Sequence, residues 1–245
     1  MAATGDSTGL LTNSGTLATV FPPMTLAAWI NLPNASGSDT SSYVWQLLQS
    51  TTANIFNLHF SGAVGSYVFG GYCHSFSGTS IDGTAVTNSP VGWHHVAATF
   101  PNSSGNVNSV ALYIDGVLNS TTTTGGPVTS LTNADASSIQ LTFGNTGGGA
   151  PCTVAYPAMW NIVLTGTEIA NLAAATFGNY ILSVESGSLA SFAPLQAGNM
   201  SLDTVNGSFT ITGTVTNAAD PFPYAPSSGG GNPVANPILL FWPSL

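Results

Sequence analysis

The sequence contains no lysine and no arginine among its 245 residues, and only 4% of its residues are charged. Its nine acidic residues give a formal net charge of -9. Because Lys and Arg displace the counterions of a nucleic-acid backbone, their absence excludes nucleic-acid binding. It also excludes docking on anionic membranes, which uses clusters of basic residues. Trypsin-like proteases find no cleavage site in the chain, a property that suits an exposed protein.

Long apolar runs and cysteines are scarce as well. No run of about 18 apolar residues occurs, so we expect no transmembrane helix and no membrane insertion. The first residues lack the basic region and apolar stretch of a secretory signal, so we expect no cleaved leader. The two cysteines are Cys73 and Cys152. The sequence leaves open whether they form a disulfide, and we favour two buried thiols.

Short segments of alternating apolar and polar residues follow one another along the chain, separated by Gly, Asn, Ser and Pro. This period of two places each apolar set on one face of a strand, toward a shared core. The pattern predicts large antiparallel sheets packed face to face. The sets are Met24, Leu26, Ala28, Ile30 and Leu32; Phe56, Leu58 and Phe60; Val96, Ala98 and Phe100; Val110, Leu112 and Ile114; Ile139, Leu141 and Phe143; Val154, Tyr156, Ala158 and Trp160; and Phe209, Ile211 and Val215.

One hairpin turn and one helix are predicted by local signals. Asp115-Gly116 is a turn pair that follows an alternating segment. Thr165 and Glu168 have the spacing of a capping box, which predicts a helix over Thr165 to Ala174. Its apolar stripe is Ile169, Leu172 and Ala173, and Phe177-Gly178 is a plausible stop.

The end of the chain differs in composition from the rest. We assign residues 1–224 to one β domain and residues 225–245 to a Gly/Pro/Ser linker with an apolar C-terminal tail. Leaving the tail's side chains in water is unfavourable, so two outcomes stay open. The tail folds back onto its own domain, or it docks on a neighbouring subunit or a capsid protein. The tail residues are Ile238, Leu239, Leu240, Phe241 and Trp242.

Several motifs, in this order, resemble one known family. GWHHVAATF (92–100) and VALYIDGVL (110–118) resemble the central strand pair of laminin-G-like jelly rolls in the concanavalin A-like lectin/glucanase superfamily. LTFGNTGGG (141–149), AMWNIVLTGTEIANLAA (158–174) and residues 190–216 resemble the closing strands, short helix and return strands. The resemblance spans most of residues 6–224. It implies an all-β fold, an antiparallel β-sandwich (concanavalin A-like jelly roll) with one short helix.

The resemblance also directs attention to enzymatic, metal and glycan sites. Glucanase members carry paired acidic residues on one strand, whereas Glu168 and Glu185 have no acidic neighbour at that spacing, so we expect no enzyme activity. His94 and His95 lie inside the strand motif, and we expect one to face inward, the other outward, and both to be structural. Calcium is the one cofactor implied, with Asn133 and Asp135 as candidate ligands. Asp82, Asp203 and Asn145 are further candidates, and Asp115 is assigned to the turn. The candidate glycan-binding residues are Tyr67, Tyr72 and Tyr113, and Trp45 is a further aromatic on a predicted strand.

Two features of the sequence suggest where it works. The composition and resemblance point outside the cell, whereas the chain lacks an export signal. Laminin-G-like modules resemble parts of phage capsid decorations, head fibres and tail adhesins. We therefore expect a non-enzymatic protein at the virion surface that contacts capsid or other virion proteins, self-associates and binds cell-surface glycans. The alternatives are a secreted carbohydrate-binding lectin-like module and a subunit of a self-assembling extracellular filament.

Overall fold

The computed structural model confirms an antiparallel β-sandwich with one α-helix. It describes residues 2–5, 10–13, 23–32, 42–49, 53–61, 68–74, 80–86, 92–103, 106–107, 109–120, 124–125, 128, 138–142, 153–176, 178–195, 200–205 and 207–222. Within these ranges the strands form two eight-stranded sheets and two short hairpins.

Strands are numbered in chain order. The first sheet contains β1 (Ala2–Gly5), β3 (Met24–Leu32), β8 (Gly92–Phe100), β11 (Ala111–Ile114), β12 (Val117–Ser120), β15 (Thr153–Trp160), β16 (Leu189–Phe192) and β20 (Val215–Ala218). The second sheet contains β2 (Leu10–Asn13), β4 (Ser42–Gln49), β5 (Ala53–Ser61), β6 (Val68–His74), β7 (Ser80–Val86), β13 (Thr124–Gly125), β14 (Ser138–Thr142) and β19 (Thr210–Thr212). The short hairpins are β9 (Asn102–Ser103) with β10 (Asn106–Val107), and β17 (Leu202–Asp203) with β18 (Gly207–Ser208).

The two sheets have their long strands at the centre. The first sheet runs in the order β12-β11-β8-β3-β15-β1-β20, with β16 also paired to β15. The second runs β13-β7-β6-β5-β4-β14-β2-β19. Strands β4 to β7 and the pair β11 and β12 are neighbours that follow one another in the chain, whereas other neighbours, for example β3 and β15, are distant in sequence and pair only when distant segments meet.

The main core lies between the sheets and follows the predicted alternation. Met24, Leu26, Ala28 and Ile30 of β3 are buried in it. The even-numbered apolar residues of β5 and β8 are buried in the same cluster: Phe56, Leu58, Phe60, Val96, Ala98 and Phe100. Because a strand turns every second side chain to one face, this pattern forms a continuous apolar layer between the sheets.

A second apolar cluster covers the outer face of the first sheet. Helix α1 (Gly166–Ala173) and the 3₁₀ helix Gly178–Ser183 contribute to this cover, and a second 3₁₀ helix, Ser186–Ser188, follows with no buried residue. Ile169 and Leu172 of α1 are buried, as predicted, against the outward residues Ala27 and Ala97 of the sheet. The central strands of the first sheet, β3, β8 and β15, are therefore buried on both faces.

The ends of α1 are only partly as predicted. The capping box is present: the Thr165 hydroxyl accepts from the Glu168 backbone N–H, and the Glu168 carboxylate accepts from the Thr165 backbone N–H. The helix ends at Ala173, before the predicted stop at Phe177-Gly178. Its last turn closes through the Ala174 N–H, which donates to the Ala170 carbonyl, and no glycine is needed there.

The prediction for β15 was wrong in one respect. Val154 faces the inter-sheet core, whereas Tyr156, Ala158 and Trp160 belong to the outer cluster. The pairing with β3 shifts between Ala155 and Ala158, and Tyr156 has a positive φ of 50°. This β-bulge inserts an extra residue. The core face is therefore occupied by an even-numbered residue, Val154, before the bulge and by an odd-numbered residue, Met159, after it.

The late alternating set also departs from expectation at one position. Phe209 is buried and Val215 packs against the main core, but Ile211 is 44% exposed. Ile211 lies on β19, the last strand of the second sheet. An edge strand has a neighbour on one side only, which leaves less surface to cover its side chains. The set Ile139, Leu141 and Phe143 begins on β14, but its side chains lie outside the described part.

Candidate functional site: the outer face of the second sheet

Polar residues occupy the face of β5 that points away from the core. Phe56, Leu58 and Phe60 point inward, so Asn57 and His59 lie on the opposite face. The His59 Nδ1 and the Asn57 Oδ1 are 2.7 Å apart. Because an amide oxygen only accepts, His59 carries its proton on Nδ1 and donates it to Asn57. This bond fixes both the orientation of the imidazole and its tautomer.

Tyr72 lies beside this pair on the neighbouring strand. In β6, Phe69 and Cys73 are buried in the main core, so Tyr72 is on the outer face, where it is half-buried. Its register partners are Asn57 on β5 and Asp82 on β7, and Gln46 of β4 is the next partner of Asn57. We call Gln46, Asn57, Tyr72 and Asp82 the polar row. It crosses four adjacent strands at one level of the sheet.

A glycine makes room for the histidine ring beside Tyr72. Gly70 is the register partner of His59. A Cβ at Gly70 would lie 2.3 Å from both Cε1 and Nε2 of His59, which is a steric clash. The imidazole therefore lies directly over the β6 backbone next to Tyr72. A larger residue at Gly70 would displace it.

The site is electrostatically neutral to negative at neutral pH. Burial lowers the pKa of His59 to about 4, so its imidazole is uncharged. The polar row adds one acidic residue, Asp82. The described donors and acceptors are an imidazole, an amide and a phenol, and the phenol belongs to an aromatic ring. Asn57 is buried, with 2% of its surface exposed, and it orients His59. The partly exposed imidazole and phenol are the groups that can hydrogen-bond hydroxyl groups and pack against an apolar ring face. It supplies no charge to hold an anion.

Of these three residues, the sequence predicts only Tyr72 as a glycan-binding residue, and that assignment stays a prediction. Asn57 and His59 are not among the predicted glycan-binding residues. The alternation in IFNLHF (55–60) could have identified them, because Asn57 and His59 alternate there with the core residues Phe56, Leu58 and Phe60. The alternation identifies the face, but only the sheet register brings Tyr72 to that face beside them.

The remaining predicted site residues do not join this group. Tyr113 lies on the first sheet, half-buried against the outer cluster, with its ring close to Gly166 at the start of α1. Its glycan contact stays a prediction, and the packing gives it a structural role. The side chain of Trp45 is not among those described. Tyr67, Asn133, Asp135 and the tail residues Ile238, Leu239, Leu240, Phe241 and Trp242 lie outside the described residues.

The histidines of the GWHHVAATF motif are structural. His94 Nδ1 lies 2.9 Å from Asp115 Oδ2, and the His95 backbone N–H donates to Asp115 Oδ1 over 3.0 Å. Asp115 and Gly116 have φ values of 50° and 80°, the positive values that a type I′ hairpin turn requires. The Asp115 carboxylate thus joins the β11–β12 turn to β8. Burial alone would raise its pKa, but the hydrogen bonds from His94 and His95 outweigh burial and lower it.

His95 faces outward, as the alternation predicts for one of the pair, yet it is buried. Its ring contacts Trp29 edge to face, with the centroids 5.5 Å apart. Trp29 in turn contacts Phe222, which stacks on Tyr156. Burial lowers the pKa of His95 to about 4, although the Asp115 carboxylate partly opposes the shift. The outward face of β8 is therefore an interior surface of the protein.

The two glutamates lie close together but serve α1. The Glu168 carboxylate accepts from the Thr165 backbone N–H over 2.6 Å and from its hydroxyl over 2.8 Å. These bonds lower its pKa, and a side-chain hydrogen bond with Glu185 adds to the effect. Glu168 therefore serves as the cap of α1, and Glu185 is an exposed residue directly before the 3₁₀ helix Ser186–Ser188.

The described acidic residues do not form a metal site. Across the described ranges, no group of three His, Cys, Asp or Glu side chains could hold a metal ion. Asp203 is buried, and its oxygens accept from the Ser191 hydroxyl and the Val205 N–H over 2.6 and 2.9 Å. Asp115 is held by its histidines. Cys73 is a buried free thiol whose pKa is raised by burial, and Cys152 lies outside the described residues.

Among the described residues, no helix has the length and apolarity that crossing a membrane takes.

Comparisons with known proteins agree with the motifs. Residues 4–170, more than half of the chain, match the laminin-G family model of the concanavalin A-like lectin/glucanases superfamily. No curated protein sequence matches the chain.

Two solved structures share the fold. A native heptameric SAP-like pentraxin from Limulus polyphemus aligns with a TM-score of 0.53 at 12% identity, over 88% of this chain and 93% of the pentraxin. A Bacteroides ovatus protein inferred to bind carbohydrate aligns with a TM-score of 0.56 at 14% identity, over 90% of this chain. The chain spans 61% of the length of that protein. The family match and the two-sheet architecture lead to the same conclusion: this chain belongs to the concanavalin A-like lectin/glucanases superfamily.

Proposed function

We propose that this chain is a non-enzymatic glycan-binding module whose binding surface is the outer face of the second sheet around Tyr72. The observation that carries the proposal is the juxtaposition of Tyr72 with the hydrogen-bonded pair Asn57 and His59, outside the main core. An aromatic ring beside fixed hydrogen-bonding groups is what a sugar requires, because a sugar presents both an apolar ring face and hydroxyl groups. The lectin-like fold and the carbohydrate binding inferred for the Bacteroides ovatus neighbour support the same function.

A glycan array followed by titration calorimetry tests the binding. Tyr72→Ala removes the ring and is expected to weaken binding by at least about tenfold, equivalent to about 1.4 kcal/mol. Tyr72→Phe keeps the ring and should lose less. Val117→Thr is the matched control, because Val117 is 66% exposed on β12 of the other sheet. It should bind like the unaltered protein.

Two results would count against the proposal. If no glycan is retained by the folded protein, the chain is not a glycan-binding module. If a glycan binds and Tyr72→Ala binds it as tightly as the unaltered protein does, the binding surface is elsewhere. Circular dichroism spectra of each variant distinguish lost binding from lost folding.

The non-enzymatic part of the proposal rests on how the two glutamates are used. The Glu168 carboxylate accepts from the Thr165 N–H and hydroxyl as the cap of α1, and Glu185 lies on an exposed bend outside the strands. Incubation with glycans that the protein binds is expected to release no reducing sugar. Sustained release that is abolished by Glu185→Gln would overturn this part.

For the setting, we propose the surface of a virion, where the module would contact capsid or other virion proteins. The composition supports an exposed location, because trypsin-like proteases find no Lys or Arg to cleave anywhere in the chain. Mass spectrometry and antibody labelling of purified particles test it. Detection of the protein only in the soluble secreted fraction would favour the lectin alternative, and detection in purified extracellular filaments would favour the filament-subunit alternative.

A further inference from the structure

The binding surface proposed above has almost no means of holding a negative charge. The chain has no lysine or arginine, so histidine is its only side chain that can become cationic. Nine acidic residues oppose four histidines. Whatever the candidate site binds must tolerate this negative field.

The three histidines whose side chains are described do not supply the missing charge, and His74, the fourth, is uncharged at pH 8 if its pKa is unperturbed. His59, within the site, donates its Nδ1 proton to Asn57, and burial keeps its imidazole neutral, with a pKa of about 4. His95 is buried on the other sheet and is neutral for the same reason. His94 lies against the Asp115 carboxylate, 2.9 Å away, so any charge it gains is offset there.

The polar row also contains an acidic residue. Asp82 on β7 is the register partner of Tyr72, so an acidic residue occupies the next position of the row. An ionised carboxylate accepts hydrogen bonds from sugar hydroxyls. Acidic residues repel a sulfate or a sialic acid carboxylate, and this chain has no lysine or arginine to pair with such a group when binding removes its water.

We infer that the ligand of this surface is an uncharged glycan, and that glycans carrying sialic acid, uronic acid or sulfate are rejected. The inference rests on the proposed glycan-binding function and adds the chemical class of the ligand. The rejection combines the negative charge of the whole chain with a local contribution from Asp82.

Matched glycan pairs test the inference at pH 8, where an unperturbed imidazole is neutral. Each pair consists of a neutral oligosaccharide and the same oligosaccharide with one sialic acid or one sulfate added. The neutral member is expected to bind at least about tenfold more tightly at low salt. Because salt screens charges, raising the salt concentration should narrow this difference while leaving the neutral member unchanged.

Two single-charge variants separate the local from the global effect. Asp82→Asn removes one charge within the polar row, and Glu185→Gln removes one charge beside α1. Both change the net charge equally. Asp82→Asn should reduce the discrimination against the acidic members more than Glu185→Gln does. If both reduce it equally, the local role of Asp82 is wrong.

The other outcomes are distinct. Binding is measured both with a chelator and with added calcium. Tighter binding of the acidic members under either condition would overturn the inference while the glycan-binding function stands. Retention of neither member of any pair would overturn the function itself. Calorimetry of the full chain distinguishes these outcomes, since it reports affinity for each glycan directly.

Discussion

The buried imidazole of His95 should make the protein lose stability in mild acid. Its pKa is about 4 in the folded protein because burial disfavours the charged form, against 6.5 for an unperturbed histidine. The unfolded chain therefore binds a proton at a higher pH than the folded chain does. By linkage, the free energy of unfolding falls as the pH falls from about 6.5 toward 4.

The size of the effect follows from the shift. A displacement of about 2.5 pKa units corresponds to roughly 3 kcal/mol once the pH is below 4, of which about 2 kcal/mol is lost by pH 5. Asp115 and Glu168 have lowered pKa values, so their stabilising contributions are lost below about pH 4.5. Titration of those two carboxylates therefore does not contribute to the change in unfolding free energy between pH 5 and 7.5.

Urea unfolding followed by tryptophan fluorescence measures this, since the chain has five tryptophans. The variant His95→Gln keeps a polar side chain but cannot titrate. Between pH 7.5 and 5, the unaltered protein is expected to lose about 2 kcal/mol more than the variant does. Each protein's free energy of unfolding at pH 5 is compared with its own value at pH 7.5, so any destabilisation by the substitution that does not depend on pH cancels.

An independent variant and a clear contrary result complete the test. His59→Gln, on the other sheet, should reduce the pH-dependent loss of unfolding free energy by a similar amount, because burial also lowers the pKa of His59 to about 4. The two residues lie on different sheets, so their effects should add in the double variant. If the profiles of His95→Gln and the unaltered protein run parallel over this window, His95 is not a buried neutral histidine and the reasoning is wrong.

Three further predictions concern the turn, the helix cap and the tail. Gly116→Ala should lower the free energy of unfolding by more than about 1 kcal/mol, because φ is +80° there and a Cβ would lie 2.9 Å from the Ala170 Cα; unchanged denaturant midpoints would contradict this. Thr165→Ala should lower the free energy of unfolding by about 1 kcal/mol in the same assay through loss of the cap. The control Thr167→Ala, at an exposed position of the same helix, should lower it by less than half of that. Equal losses would rule out the cap as the cause. Truncation after Ser228 should leave the domain folded and reduce its assembly on a subunit or partner, as measured by light scattering and co-sedimentation; unchanged assembly would refute the intersubunit role, and unfolding would assign the tail to its own domain.

The sequence by itself determined the strands and several of their faces. The alternation in β3, β5 and β8 correctly predicted which side chains enter the inter-sheet core. Asp115-Gly116 and the pair Thr165 and Glu168 fixed a turn and a helix start. These features are local: a period of two, a positive φ or a cap hydrogen bond depends on residues a few positions apart.

Only the tertiary structure decided what covers each face and which residues meet. Alternation shows that His95 points away from the core, but its contact with Trp29 and the cover formed by α1 and the 3₁₀ helix Gly178–Ser183, much later in the chain, make that face interior. The bulge at Tyr156 reverses the parity of β15 through a backbone conformation that the alternation pattern does not encode. Tyr72 meets Asn57 and His59 because the register of β5 and β6 aligns them. Register and cover arise from the packing of the whole chain, and the physics of a single segment does not contain them.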